Sequence, residues 1–121
     1  MSPRIPIALI LLIVYLSTPA WADFQAGMEA DDSGDYATAL REWRPLAEHG
    51  DSTAQAALGL LYEKGRGVPQ DYVQAQMWYN LAAANGDEAG AKFRDDLARK
   101  MTPVQIAEAQ KLAREWKPQK K

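Results

Sequence analysis

A chain of 121 residues, 47% of them hydrophobic, is long enough for one small domain. It has no cysteine, which excludes a disulfide-stapled scaffold, a thiolate metal site and a cysteine nucleophile. The formal charge of −2 hides an asymmetry: residues 23–88 hold 12 acidic and 4 basic side chains, residues 89–121 hold 9 basic and 4 acidic.

Residues 1–22 have the layout of a secretory signal. Arg4 precedes an apolar run from Ile5 to Leu16, which Ser17, Thr18 and Pro19 break. Ala20-Trp21-Ala22 then puts small residues where a signal peptidase reads them. The run is shorter than the roughly 20 residues of a spanning helix. Removal before Asp23 is therefore expected, with a retained anchor as the alternative. The mature chain, 23–121, is expected in the periplasm or secreted, with no transmembrane segment.

From there the chain nearly repeats itself. Tyr36, Ala39, Trp43, Ala47, Gly50 and Asp51 recur 36 residues later as Tyr72, Ala75, Tyr79, Ala83, Gly86 and Asp87. Ala26-Gly27 returns as Leu58-Gly59 at a step of 32, because the first turn, Ser33-Gly34, is shorter than Gly65 to Gln70. A period in this range marks stacked helical hairpins, none able to bury its apolar face alone.

Six helices are expected. The first runs from about Asp23 to Asp31, the second from Tyr36 to Glu48. Gly50 ends the second, and Asp51 or Ser52 caps the third, which reaches Lys64. Pro45, inside the second helix, removes one hydrogen bond and should kink it. Val68 is expected to fold back as an apolar pin. Asp71 caps the fourth helix, which runs to about Asn85; the fifth spans about Glu88 to Lys100. Thr102-Pro103-Val104-Gln105 is a capping box with proline at N1, and starts a last helix that reaches Trp116. Apolar residues three and four apart, such as Tyr72, Ala75, Tyr79 and Ala82, give each helix one buried stripe. The fold class is all-α, an α/α solenoid of antiparallel helix pairs.

The stretch Leu58-Gly59, Tyr62, Gly65, Gly67-Val68, Asp71, Ala75, Trp78-Tyr79, Ala82-Ala83 and Gly86 closely resembles the Sel-one-like repeat (SLR) family, relatives of the tetratricopeptide repeat. Residues 51–86 fit the pattern fully, 23–50 form a degenerate copy, and 87–121 diverge into C-terminal capping helices. The resemblance implies a right-handed superhelix acting as a protein-binding adaptor rather than an enzyme. It also implies that the first helix of each pair lines a concave groove. On this chain those positions are Phe24, Met28, Asp31 and Asp32, with Ala56, Leu60, Glu63 and Lys64. An apolar and acidic groove suits a peptide with apolar and basic residues. The other reading of Phe24 is that it simply covers the first hairpin.

Chemistry has few places to sit. Ser33 and Ser52 are the only serines after residue 22, and His49 is the one histidine. All three lie at helix turns, where capping and dipole roles are expected. Asp31, Asp32 and Asp35 lack the spacing of a calcium loop. Gly65-Arg66-Gly67 lacks the lysine of a phosphate loop. No catalytic group, cofactor or metal is expected, and no nucleic acid is expected as partner. The basic C-terminal helices, Lys92 to Lys121, offer weak contact with an anionic surface. The competing class is an envelope enzyme or a factor binding peptidoglycan or a β-lactam. Some exported members of the family are linked to β-lactams, but those carry a cysteine pair per repeat.

Overall fold

A computed structural model describes residues 20–119, with side chains from residue 23. The predicted leader lies outside the described residues, apart from its last three, which form the start of the first helix. Lys120 and Lys121 lie outside them too.

Six helices and no strand make up the described residues. They are α1 (Ala20–Asp32), α2 (Tyr36–Glu48), α3 (Ser52–Lys64), α4 (Tyr72–Ala84), α5 (Glu88–Ala98) and α6 (Pro103–Glu115). Their starts follow from side-chain oxygens that bond the otherwise unpaired N–H groups of a first turn. Asp35, Asp51, Asp71, Asp87 and Thr102 each accept from the backbone N–H three residues on. At α6 the capping box is complete: the Thr102 N–H donates to Gln105 Oε1 at 2.9 Å, and the Gln105 N–H donates to Thr102 Oγ1 at 3.2 Å. α5 ends at Ala98, two residues before the expected Lys100, as the Lys100 N–H turns in to the Leu97 carbonyl. α2 continues through Pro45, which is exposed, although proline removes one bond of the helical ladder.

Consecutive helices from α1 to α5 pack on one another as antiparallel neighbours. Two of these pairs are built around a glycine. A Cβ at Gly27 would overlap the Trp43 indole, and a Cβ at Gly59 would overlap the Tyr79 ring. Each glycine thus clears a slot on the first helix of a hairpin for an aromatic ring of the second. Ala39, Ala47, Ala54 and Ala82, all fully buried, keep the helix axes close elsewhere. The turn between α3 and α4 folds inward as expected. Val68 packs on the core, and the Arg66 guanidinium lies 5.2 Å from the Tyr36 ring centre.

The third pair differs. Thirty-six residues beyond Gly59 stands Asp95, exposed and bonded by the Arg94 Nε–H at 3.0 Å. No slot exists there, and α5 and α6 make at most marginal contact. Both pack on α4 instead. The capping segment is therefore two helices laid side by side on the second hairpin, not a third interlocked pair. α4 becomes the centre, with Ala75 through Tyr79 all buried.

Gly59→Ala should cost about 1–3 kcal/mol through overpacking against Tyr79. Thermal unfolding followed by circular dichroism should show it, at roughly 4–8 °C per kcal/mol for a domain of this size.

Candidate functional site

The eight predicted groove positions fall into three groups. Met28, Asp32 and Lys64 are exposed; Met28 is 40% exposed, unusual for a large apolar side chain here. Phe24, Asp31, Leu60 and Glu63 are half-buried. Ala56 is only 5% exposed, which corrects its placement in an open groove. The reason is close packing: α3 is buried without a break from Ala54 to Gly59, so its small side chains meet neighbouring helices.

Two half-buried members are also committed to the fold. The Phe24 ring stacks on Trp43, with centroids 5.6 Å apart, and its carbonyl accepts the Trp43 indole N–H at 3.1 Å. Phe24 therefore covers the first hairpin, one of the two readings its position allowed. Leu60 packs on the cluster of Ala75, Tyr79, Leu97 and Met101. What stays open on α1 is Met28 with Asp32 one turn further on, while Lys64 is exposed at the end of α3.

Glu63 has a role that spacing did not reveal. It accepts a hydrogen bond from the Tyr79 hydroxyl at 2.9 Å, with its side chain only 13% exposed. Lys64 Nζ lies 3.8 Å from its other oxygen. Its backbone carbonyl accepts from Gln70 Nε2 at 2.9 Å, tying the turn to the end of α3. Burial, reinforced by the hydrogen bond to Glu63, pushes the Tyr79 hydroxyl well above the usual tyrosine range. The signal was present in the sequence, since Tyr79 can carry a hydroxyl that Trp43 cannot. It was legible only as an aromatic space-filler. Similarly, Arg44 donates to the Tyr62 hydroxyl at 3.2 Å, linking α2 to α3.

Ser33, His49 and Asp35 are engaged in hydrogen bonds. The Ser33 hydroxyl donates to the Ala30 carbonyl at 2.9 Å. His49 Nδ1 lies 2.8 Å from the Gln119 carbonyl oxygen. Asp35 accepts from both the N–H and the hydroxyl of Thr38, and these bonds hold its carboxyl below the usual range. Among the described residues no three acidic, histidine or cysteine side chains are grouped as metal ligands would be. An open cleft of about 320 Å³ lies where the first turns of α4 and α6 meet, lined by Gln70, Asp71, Tyr72, Val73 and Gln105. Sequence reading missed it because it depends on α6 crossing to α4.

Residues 52–87, which are α3, α4 and the turn after them, match the family model described as Sel1 repeat. The chain is also similar to the crystal structure of a protective antigen present in uropathogenic Escherichia coli strains and displaying an SLR fold. The TM-score is 0.74 and the identity 34%, over 81% of this chain. The match spans only 22% of that longer protein. No curated protein matches.

Tyr79→Phe should lower stability by about 1.5–3 kcal/mol, because a half-buried carboxylate loses its donor. In the parent protein, the unfolded tyrosine ionises near pH 10.0 while the folded one resists. Stability should therefore fall as pH rises above that value, and Tyr79→Phe should flatten this alkaline limb in melts across pH 9–11.

Proposed function

We propose, from the Sel1 repeat at residues 52–87 and the SLR fold built around it, that this chain is a non-catalytic protein-binding module of the cell envelope. Sel1-type repeats generally serve as protein-interaction modules. The observation that carries the reading further is the exposed pair Met28 and Asp32, one turn apart on α1. On α3, Leu60 is half-buried and Lys64 is exposed. An apolar side chain of a partner fits against Met28, and a neighbouring basic residue fits Asp32. Such a surface is small, so one short peptide or one protein edge is the occupant. Without a large buried area the binding is weak to moderate.

Export is part of the proposal and rests on the layout of residues 1–22. Mass spectrometry of the protein recovered from a periplasmic fraction should give a chain that begins at Asp23. A product retaining Met1 in the membrane fraction would replace export by anchoring.

The test of binding compares the mature protein with Met28→Asp in affinity capture from envelope extract. Met28 is exposed, so the variant should fold and melt as the parent does, yet lose its captured partner by tenfold or more. Equal capture by both proteins removes this pair as the site. A rise in melting temperature with peptidoglycan fragments or a β-lactam, at unchanged capture, moves the assignment to a cell-wall-binding factor.

A further inference from the structure

We infer that residues 116–119 form a latch that ties α6 to the first hairpin and shields Trp78 beneath it. After Glu115 the backbone turns extended, with Trp116 at φ −69° and ψ 140°, and Pro118 prevents any return to helix. The segment then reaches the far end of α2. The Gln119 N–H donates to the Glu48 carbonyl at 2.8 Å. The Gln119 carbonyl lies 2.8 Å from His49 Nδ1. A carbonyl can only accept, so that imidazole nitrogen carries the hydrogen.

The receiving site has a physical cause. The last four carbonyls of a helix lack donors from within it. At the end of α2, His49, Gly50 and Asp51 turn back to Pro45, Ala47 and Leu46 respectively. The Glu48 carbonyl is left to Gln119. Both latch bonds use main-chain atoms of Gln119, so the side chain at that position is free of this duty.

The latch also covers an aromatic pair. Trp116 meets Trp78 edge to face, with centroids 6.1 Å apart. Trp78 is 5% exposed and its indole N–H is buried without a partner. Opening the latch hydrates that N–H and uncovers both rings, so the closed form is held by few bonds and has a polar group that gains on release.

This arrangement departs from a linear repeat stack, in which each unit contacts only its neighbours and the ends fray independently. Here the segment after the last helix touches the second one. Stability of α6 and of the last turn of α2 should therefore be coupled across the molecule.

Two substitutions separate the latch from general stability. Gln119→Pro removes the N–H, while Gln119→Ala keeps it. In the protein purified from cells expressing the full chain, amide exchange is measured at His49, Gly50 and Asp51 and along α6. Gln119→Pro should speed exchange at both places about three- to ten-fold, the range set by one net hydrogen bond, and red-shift tryptophan emission. Gln119→Ala should match the parent. Equal exchange in the two variants overturns the latch, as does an effect confined to residues 116–119.

Discussion

The structure depends on a steric exchange made twice, in which the first helix of a hairpin gives up a side chain so that the second can insert an aromatic ring. Gly27 receives Trp43 and Gly59 receives Tyr79. Dispersion and apolar burial from such rings are large only when the surrounding atoms close around them. Alanines on the flanking turns permit this by letting the helix axes approach. Where the slot is missing, at Asp95, the pairing is missing too, and the architecture changes from hairpins to helices laid on α4.

That change gives α4 its central place. A helix packed on several sides carries apolar residues all round rather than on one stripe, and α4 meets α3, α5 and α6. Its polar residues are drawn inside with it. Gln76, 2% exposed, donates to the Arg94 carbonyl of α5 at 3.0 Å. Gln55 of α3, fully buried, donates to the Ala47 carbonyl at 3.1 Å and accepts from Asn85 at 3.2 Å. This one amide joins the end of α2, the start of α3 and the end of α4. Buried amides are costly unless paired; the Gln55 amide is paired at both ends and joins neighbouring repeats, whereas Gln76 Oε1 is buried without a partner.

The same packing shapes the candidate binding edge. Tyr79 fills the slot over Gly59 and its hydroxyl continues outward to Glu63, so the core and the groove floor share one residue. Phe24 and Leu60 are likewise half core and half surface. Of the predicted groove positions, only Met28, Asp32 and Lys64 are freely accessible. The segment after α6 reaches back to the end of α2, where Gln119 bonds Glu48 and His49.

Helix boundaries were legible in the sequence to within about three residues, as were the caps Asp51, Asp71 and Thr102, although the first helix begins at Ala20 rather than Asp23. Asp35, Asp51, Asp71, Asp87 and Thr102 act within three residues of themselves, and local chemistry decides local hydrogen bonds. The repeat step of 36, the inward Val68 and the glycine positions were legible for the same reason, since periodicity reports which face is buried. Tertiary structure alone decided the rest. Ala56 lies in the core although its register points to the groove, because burial depends on what the neighbouring helices cover. Glu63 and Tyr79 meet across 16 positions, and His49 and Gln119 across 70. No local pattern encodes such pairings. The sequence by itself determined that there would be helices, where all but the first begin, and most of the stripe each would hide. Three-dimensional packing decided that α6 would cross to α4, because which surface covers another is a property of the assembled helices and of no one helix alone.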